Sequence, residues 1–529
     1  MTVTPSEASR RLSPRIDAAR LESLANRLAT TPGERPSIPV AAPATGERLG
    51  EVPSMSAENV GEAVRRARVA QAAWARRPLR ARAEILLRFH DLLLDRRDVG
   101  LDLIQLEGGK TRKDALEEIL ETANISRYYG RAATSFLRPR RKRSALPLLT
   151  QAWEYHKPVG VVGIITPWNF PLILGITDAL PALVAGSAAV IKLDPHTPYT
   201  ALWAATLLDA AGLPPDVLQL VSGSGPELGP PLIERVDFVM FTGSTRVGRM
   251  IAAQCAERLI GCSLELGGKN AMIVLDDVDV DRAAAGACKG SFSHGGQICV
   301  GMERIYVLEQ VYERFCNRFV ELTQALRLGV GFDYDDDMGS LLSQQQLDTV
   351  SAHVDDAVAK GASVLAGGRA RSDLGPFFYE PTILTKVTPD MKLYADETFG
   401  PVVAVYPVAS EAEAVDRAND SRFGLNFSVW TGNASRGRAV ARRLEAGTVN
   451  VNESYGSAWS SSGVQMGGFK ESGVGRRHGA HGIEKYTESQ AVVVQRVVPI
   501  SGPSWIPPAR WERLVIPALR LMRRLPGVR

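Results

Sequence analysis

The sequence predicts an α/β protein built from two parallel-sheet domains and a small separate β element. Short β-branched runs alternate with helical stretches from Gly160 onward, and a second alternating set begins at Asn270. Two further strand-like runs fall outside both sets. Alternation of this kind implies parallel strands, because each strand re-enters its sheet from the same end only after a helical crossover.

The elements follow in order. The first 35 residues are mixed and polar and are expected to be poorly ordered at the start. PSIPV and GERLGEVP then predict a short hairpin. Apolar residues recur at helical spacing from Ala57 to Arg76 and from Arg80 to Arg97, giving two surface helices. The first alternating set reads VGVVGIIT, SAAVIKLD, VLQLVSG and VDFVMFTGS, with PYTALWAATLLDAAGL among the connecting helices. The second set reads NAMIVLDD, ERIYVLE, a helix from Val311 to Leu326, PVVAVYPV and GTVNVNE. The junction falls near Gly267 and Gly268. The outlying runs, TQAWEYHKPVG and AVVVQRVV, are expected to pair with strands of a partner subunit.

Composition narrows the function class. The 529 residues, 45% hydrophobic and 23% charged with a net charge of +4, describe an ordinary globular chain and no general nucleic-acid surface. The N-terminus has no apolar stretch typical of a signal peptide, and Glu7 and Asp17 argue against a transit peptide, so a cytoplasmic protein is expected. The most apolar stretch, Leu172 to Ile191, is broken by Asp178 and Pro181, which argues against a membrane span. The five cysteines, Cys255, Cys262, Cys288, Cys299 and Cys316, lack paired metal-ligand spacing, so no metal site is expected and reduced thiols fit best.

Three segments carry chemistry. SHGGQICVG places Cys299 on a glycine turn, where backbone can approach a ligand closely, although a lone cysteine is more often a small buried hydrophobe. LELGGKN puts Glu265 at the end of an apolar strand, where partial burial raises a carboxyl pKa toward that of a general base; the alternative is a strand-end salt bridge. TPWNFP follows the strand VGVVGII, and the amide of Asn169 is placed either to donate to a developing oxyanion or to serve as an ordinary turn residue.

PWNFP, FTGSTRVG, LELGGKN, GQIC and ETFGP, taken in this order, resemble the aldehyde dehydrogenase superfamily over residues 40 to 490. The resemblance implies an aldehyde dehydrogenase-like fold and oxidation of an aldehyde to an acid with NADP or NAD, NADP being favoured. It implies Cys299 as nucleophile, Glu265 as general base and Asn169 with the Cys299 backbone N–H as oxyanion hole. It further implies that Thr166, Trp168, Asn169, Lys192, Asp194, Pro195, Gly243, Ser244, Leu266, Glu397 and Phe399 bind the cofactor. Residues 1–140 and 158–265 would then form the cofactor-binding domain, 266–480 the catalytic domain, and 141–157 with 487–500 the strands of a homodimer or homotetramer.

Some positions depart from the family pattern. Leu193 and Pro195 stand where many NAD-preferring members have a proline and a ribose-binding glutamate, which tolerates a 2′-phosphate. Arg477 stands where many have a glutamate. Over its whole length the chain resembles the NADP-dependent succinate-semialdehyde branch, implying succinate semialdehyde as substrate. However, Thr177 and Asp178 supply no cation for its carboxylate, leaving the hydroxyls of Ser454 to Gly463. Medium- or long-chain aliphatic or aromatic aldehydes are the alternative.

From other classes, a cysteine hydrolase would need a histidine such as His294, expected on a solvated loop, and a silent binding protein would keep the fold without turnover. Residues 501–529 form a basic amphipathic tail, expected to dock on its own or a neighbouring subunit; a membrane-surface helix is the alternative.

Overall fold

The computed structural model describes residues 12–28, 36–144, 150–496 and 499–524. Expectations that fall on residues 1–11, 29–35, 145–149, 497–498 and 525–529 lie outside the described residues. The hairpin is present as Ser37–Ala41 paired antiparallel with Arg48–Pro53. The two helices are Ala57–Trp74 and Leu79–Asp95. The first begins with a reciprocal cap between Ser56 and Asn59, and buries Val60, Ala63, Val64, Ala67 and Trp74 at helical spacing.

The first sheet centres on Val161–Ile165. Ala188–Leu193 and Leu218–Ser222 lie to one side, Phe238–Thr242 and Gly261–Glu265 to the other, all parallel. Residues along the four strands from Val161 to Thr242 are buried on both faces, which is why these strands read as continuous apolar runs without alternation. The chain leaves Val161–Ile165 in one direction and returns on its other side at Phe238–Thr242. A crevice therefore opens at the carboxyl ends of these two strands, at Thr166 and Gly243.

The second sheet has seven strands, in the order Ser363–Ala366, Thr382–Thr385, Val402–Val408, Met302–Leu308, Asn270–Val274, Asn426–Trp430 and Thr448–Val451. Only the first of these is antiparallel to its neighbour. Its period-two pattern feeds two cores: Ala271, Ile273 and Leu275 pack with Val350 and Phe427, while Met272 and Val274 pack with Phe315 and Phe319. Leu266 to Lys269 connects the sheets. The chain also returns at Gly473–Val474 to pair with Gly261–Glu265, so a strand from within 266–480 completes the first sheet. Where the two units meet, Phe170, Ile173, Ile298, Val300, Tyr455 and Met466 form a small core with Cys299 against it.

The outlying strands pair with each other inside one chain. Thr487–Gln495 runs antiparallel to Thr150–Pro158 along its whole length, and Arg140–Lys142 lies on the far side. Among the described residues the outer edge of Thr487–Gln495 carries no strand, and Val492, Val493 and Val494 are exposed. Leu172 to Ile191 is interior, as two short helices and a buried strand. No helix among the described residues is long and apolar enough to cross a membrane.

The tail forms the helix Pro508–Met522. None of its residues is buried among the described residues, and the Trp511 indole N–H donates locally to the Ile500 carbonyl at 2.9 Å.

Candidate active site

Several separate segments converge at the crevice. A cavity of about 250 Å³ is lined by Trp168 and Asn169 from the first crossover, Gly243 and Ser244 from the next switch-point turn, Glu265 and Leu266 from the sheet junction, and Cys299, Glu397 and Phe399 from the second unit. Thr166, Lys192, Asp194 and Pro195 do not line it. They sit beside it on the neighbouring strand end, where the Thr166 amide and hydroxyl both donate to the Lys192 carbonyl, at 3.1 and 3.2 Å. Asp194 is engaged with His196, at 2.8 Å from Oδ1 to Nδ1. Burial holds the Lys192 ammonium below its ordinary pKa, with Asp194 opposing.

The turn carrying Cys299 is built by backbone that only certain residues adopt. His294, Gly295 and Gly296 all have positive φ, and a side chain at Gly296 would strike the Gly400 carbonyl. Asn270 Nδ2 donates to the Cys299 carbonyl at 2.7 Å and the Gly301 carbonyl at 2.8 Å, fixing the loop from both sides. The Asn169 amide donates to the Gln297 carbonyl at 3.0 Å, two residues before the thiol. An amide nitrogen has two N–H donors, so one stays available to an oxygen in the cavity. Burial, together with the Glu397 and Glu265 charges, pushes the Cys299 thiol up to about 12, against the pull of Arg477.

Glu265 is buried, and neither carboxyl oxygen has a hydrogen-bond partner among the described residues. The strand-end salt bridge is therefore not formed among them. Burial raises its pKa to about 7; Arg477 and Lys485 pull it down and Asp178 pushes it up. Arg477, which stands where many family members have a glutamate, grips Asp178 and donates to the Thr242 hydroxyl at 2.5 Å. Burial likewise drives the Lys485 ammonium down to about 8.

ETFGP is held from below. The Glu303 carboxylate accepts from the Thr398 and Phe399 amides and pairs with buried Lys269 at 2.5 Å. Phe399 takes a positive φ and meets Trp168 edge-on at 5.5 Å between ring centres. Glu397 accepts from the Gly268 amide at 2.8 Å, and a side chain at Gly267 would collide with its carboxylate. Gln346 also lines the cavity and donates to the Phe399 carbonyl at 2.7 Å. Sequence reading missed Gln346, Glu303 and Lys485, since each becomes part of the site only through tertiary packing.

A second cavity, about 370 Å³, lies on the other side of Cys299, whose neighbours Ile298 and Val300 line it together with Phe170, Ile173, Leu120 and Trp459. The helix Arg112–Leu137 supplies Glu117, Glu121 and Asn124. Lys289 is the cation in its lining, 3.1 Å from Glu117. Of the serines between Ser454 and Gly463, only Ser460 lines this cavity, and its hydroxyl donates to the Gly456 carbonyl at 2.8 Å.

His294 is not on a solvated loop. It is buried edge-on against Phe170 at 5.7 Å, neither ring nitrogen has a hydrogen-bond partner among the described residues, and burial together with Lys110 holds it well below its ordinary pKa. It makes no hydrogen bond to Cys299, so the thiol–imidazole pair of a cysteine hydrolase is not formed among the described residues. All five cysteines are free. No group of acidic, histidine or cysteine residues among the described residues has the arrangement to hold a metal ion.

The sequence profile of the Aldehyde dehydrogenase family matches residues 30–492. A protein of Mycolicibacterium smegmatis named "putative succinate-semialdehyde dehydrogenase (NADP+)" is 49% identical over 493 residues, covering 93% of this chain and 95% of the relative. The crystal structure of succinate-semialdehyde dehydrogenase from Burkholderia pseudomallei is 35% identical with a TM-score of 0.82, covering 87% of this chain and 95% of that one. The NAD+ complex of aldehyde dehydrogenase from Bacillus cereus is 34% identical with a TM-score of 0.85, covering 92% and 99%. With the profile matching residues 30–492 and the fold shared over most of the chain, the chain belongs to the aldehyde dehydrogenase family and is an oxidoreductase.

Proposed function

We propose that this enzyme oxidises succinate semialdehyde to succinate with NADP+ or NAD+, through a thioester on Cys299. The observation that carries the chemistry is the meeting of Cys299, Asn169 and an unpartnered Glu265 in one cavity. The cavity also suits a dinucleotide. Gly243 and Gly267 leave room that a Cβ would fill against Phe241 and Glu397, and Ser244 caps the helix Thr245–Glu257, whose N-terminal amides favour a pyrophosphate. Trp168, Leu266, Glu397 and Phe399 would hold the nicotinamide end, with Thr166, Lys192, Asp194 and Pro195 toward the adenosine. When bound, the cofactor supplies a hydride acceptor and a cationic ring. NADP+ is favoured because Pro195 presents no carboxylate to a 2′-phosphate, and because the Mycolicibacterium relative carries that cofactor in its name.

Cys299 Sγ adds to the aldehyde carbon as its proton leaves through water to solvent. The free Asn169 N–H and the Cys299 backbone N–H stabilise the oxyanion. After hydride loss the carbon is a thioester, and Glu265 takes a proton from the water that hydrolyses it. We assign residues 1–140 and 158–265 to cofactor binding and 266–480 to catalysis, with Gly473–Val474 reaching back to the first sheet. The open edge of Thr487–Gln495 supports a homodimer or homotetramer, and five unpaired cysteines support a cytoplasmic setting.

The names of the relatives support the substrate, and Lys289 is the charge that would face its carboxylate. The apolar walls of the same cavity favour the second reading, an uncharged medium-chain or aromatic aldehyde. The test compares kcat/KM for succinate semialdehyde, hexanal and benzaldehyde. A preference of about 100-fold for either uncharged aldehyde, equivalent to about 2.7 kcal/mol, overturns the first reading.

A further inference from the structure

We propose that the C-terminal helix Pro508–Met522 is an interfacial anchor that lays the enzyme on an anionic phospholipid surface. Trp511, Leu514, Val515, Ala518, Leu519 and Met522 recur at spacings of three and four, and so share one face of the helix. Arg510, Arg513 and Arg520 fall on the opposite arc. This apolar face is not spent on the body of the protein, since Leu514 is 60% exposed, and Trp505 just before the helix is 78% exposed.

Charge selects the occupant. Six arginines and one glutamate lie beyond residue 500, so the first 500 residues sum to −1 of the chain's total of +4. The body of a second copy therefore offers no acidic surplus to match the tail, and a second copy of the helix would bring like charges together. An anionic bilayer meets both faces at once: the apolar arc enters the acyl boundary while the long arginine side chains reach back to the headgroup phosphates. The family match ends at residue 492, so the fold does not need this helix. At 15 residues the helix lies on a membrane and does not span one.

The test is co-sedimentation of the full-length enzyme with phosphatidylcholine vesicles, with and without about one-third phosphatidylglycerol. We expect partition onto the anionic vesicles, weakened at about 0.5 M salt. The double variant Leu514→Asp, Leu519→Asp should lower that partition by at least ~10-fold, while aldehyde oxidation in solution stays unchanged. Three outcomes overturn the proposal: no partition onto anionic vesicles, equal partition onto neutral ones, or partition unaffected by the double variant. A lipid-free oligomer that dissociates in the variant also overturns it, and makes a second copy the occupant.

Discussion

Arg477 holds Asp178 through two side-by-side hydrogen bonds, Nε to Oδ1 at 3.0 Å and Nη2 to Oδ2 at 2.7 Å, with both side chains buried. Burial alone would raise the Asp178 carboxyl, but the charge and hydrogen bonds of Arg477, with the Lys485 charge, together outweigh it and hold the group below the usual carboxylate range. Among the charges acting on Glu265, Arg477 exerts the largest downward pull. The pair thus links packing at the sheet junction to the protonation of the proposed base.

Replacing Arg477 by Met leaves a buried, unpaired carboxylate and is expected to lower stability by about 3–5 kcal/mol. It also removes the strongest counter-charge to Glu265, so the acid limb of the kcat–pH profile should move up by about one unit. Arg477→Lys keeps a charge but loses the fork: stability should fall while the limb stays near its place. A folded Arg477→Met enzyme with an unshifted acid limb would show that this charge does not tune the base.

Cys299→Ala should abolish aldehyde oxidation and keep dinucleotide binding, read by fluorescence titration, because only the covalent step is removed. Glu265→Gln should release one equivalent of reduced cofactor and then stall. The same substitution has a stability signature. A carboxyl raised from 4.5 to about 7 contributes nothing unfavourable below the lower value, and becomes a cost as pH rises through the upper one. Glu265→Gln should therefore match the wild type near pH 4 and exceed it at pH 8 by on the order of 3 kcal/mol, measured by denaturant unfolding. Identical stability at pH 8 would contradict an ionised, unpartnered Glu265.

Pro195 stands at the end of the strand Ala188–Leu193, beside the Lys192 that shares its edge with Thr166. Pro195→Glu adds a carboxylate there and should weaken NADP+ more than NAD+ by charge repulsion, lowering the ratio of their kcat/KM values by roughly 10-fold. An unchanged ratio would place phosphate reading elsewhere, with His196 and Asp194 the next positions to vary.

Much of this protein was legible in its sequence. Runs such as VGVVGII and NAMIV read as buried parallel strands because both faces of each sheet are covered, and that requirement is local to the strand. Cys299, Glu265 and Asn169, which the fold brings to one cavity, were legible as candidates because each sits in a motif whose glycines and turn residues shape backbone over a few positions. Tertiary structure alone decided what surrounds them. The missing partners of Glu265, the Arg477–Asp178 grip across 299 residues of chain and the Glu303 carboxylate beneath Phe399 join segments far apart in sequence. His294 was misread for the same reason, since burial depends on what packs over a loop. The outlying strands show the limit most clearly: AVVVQRVV was expected to pair with a strand of a partner subunit, and only the folded chain set Thr487–Gln495 against Thr150–Pro158 within one subunit. Backbone conformation follows from neighbouring residues, whereas desolvation and charge pairing depend on distances that chain order does not encode.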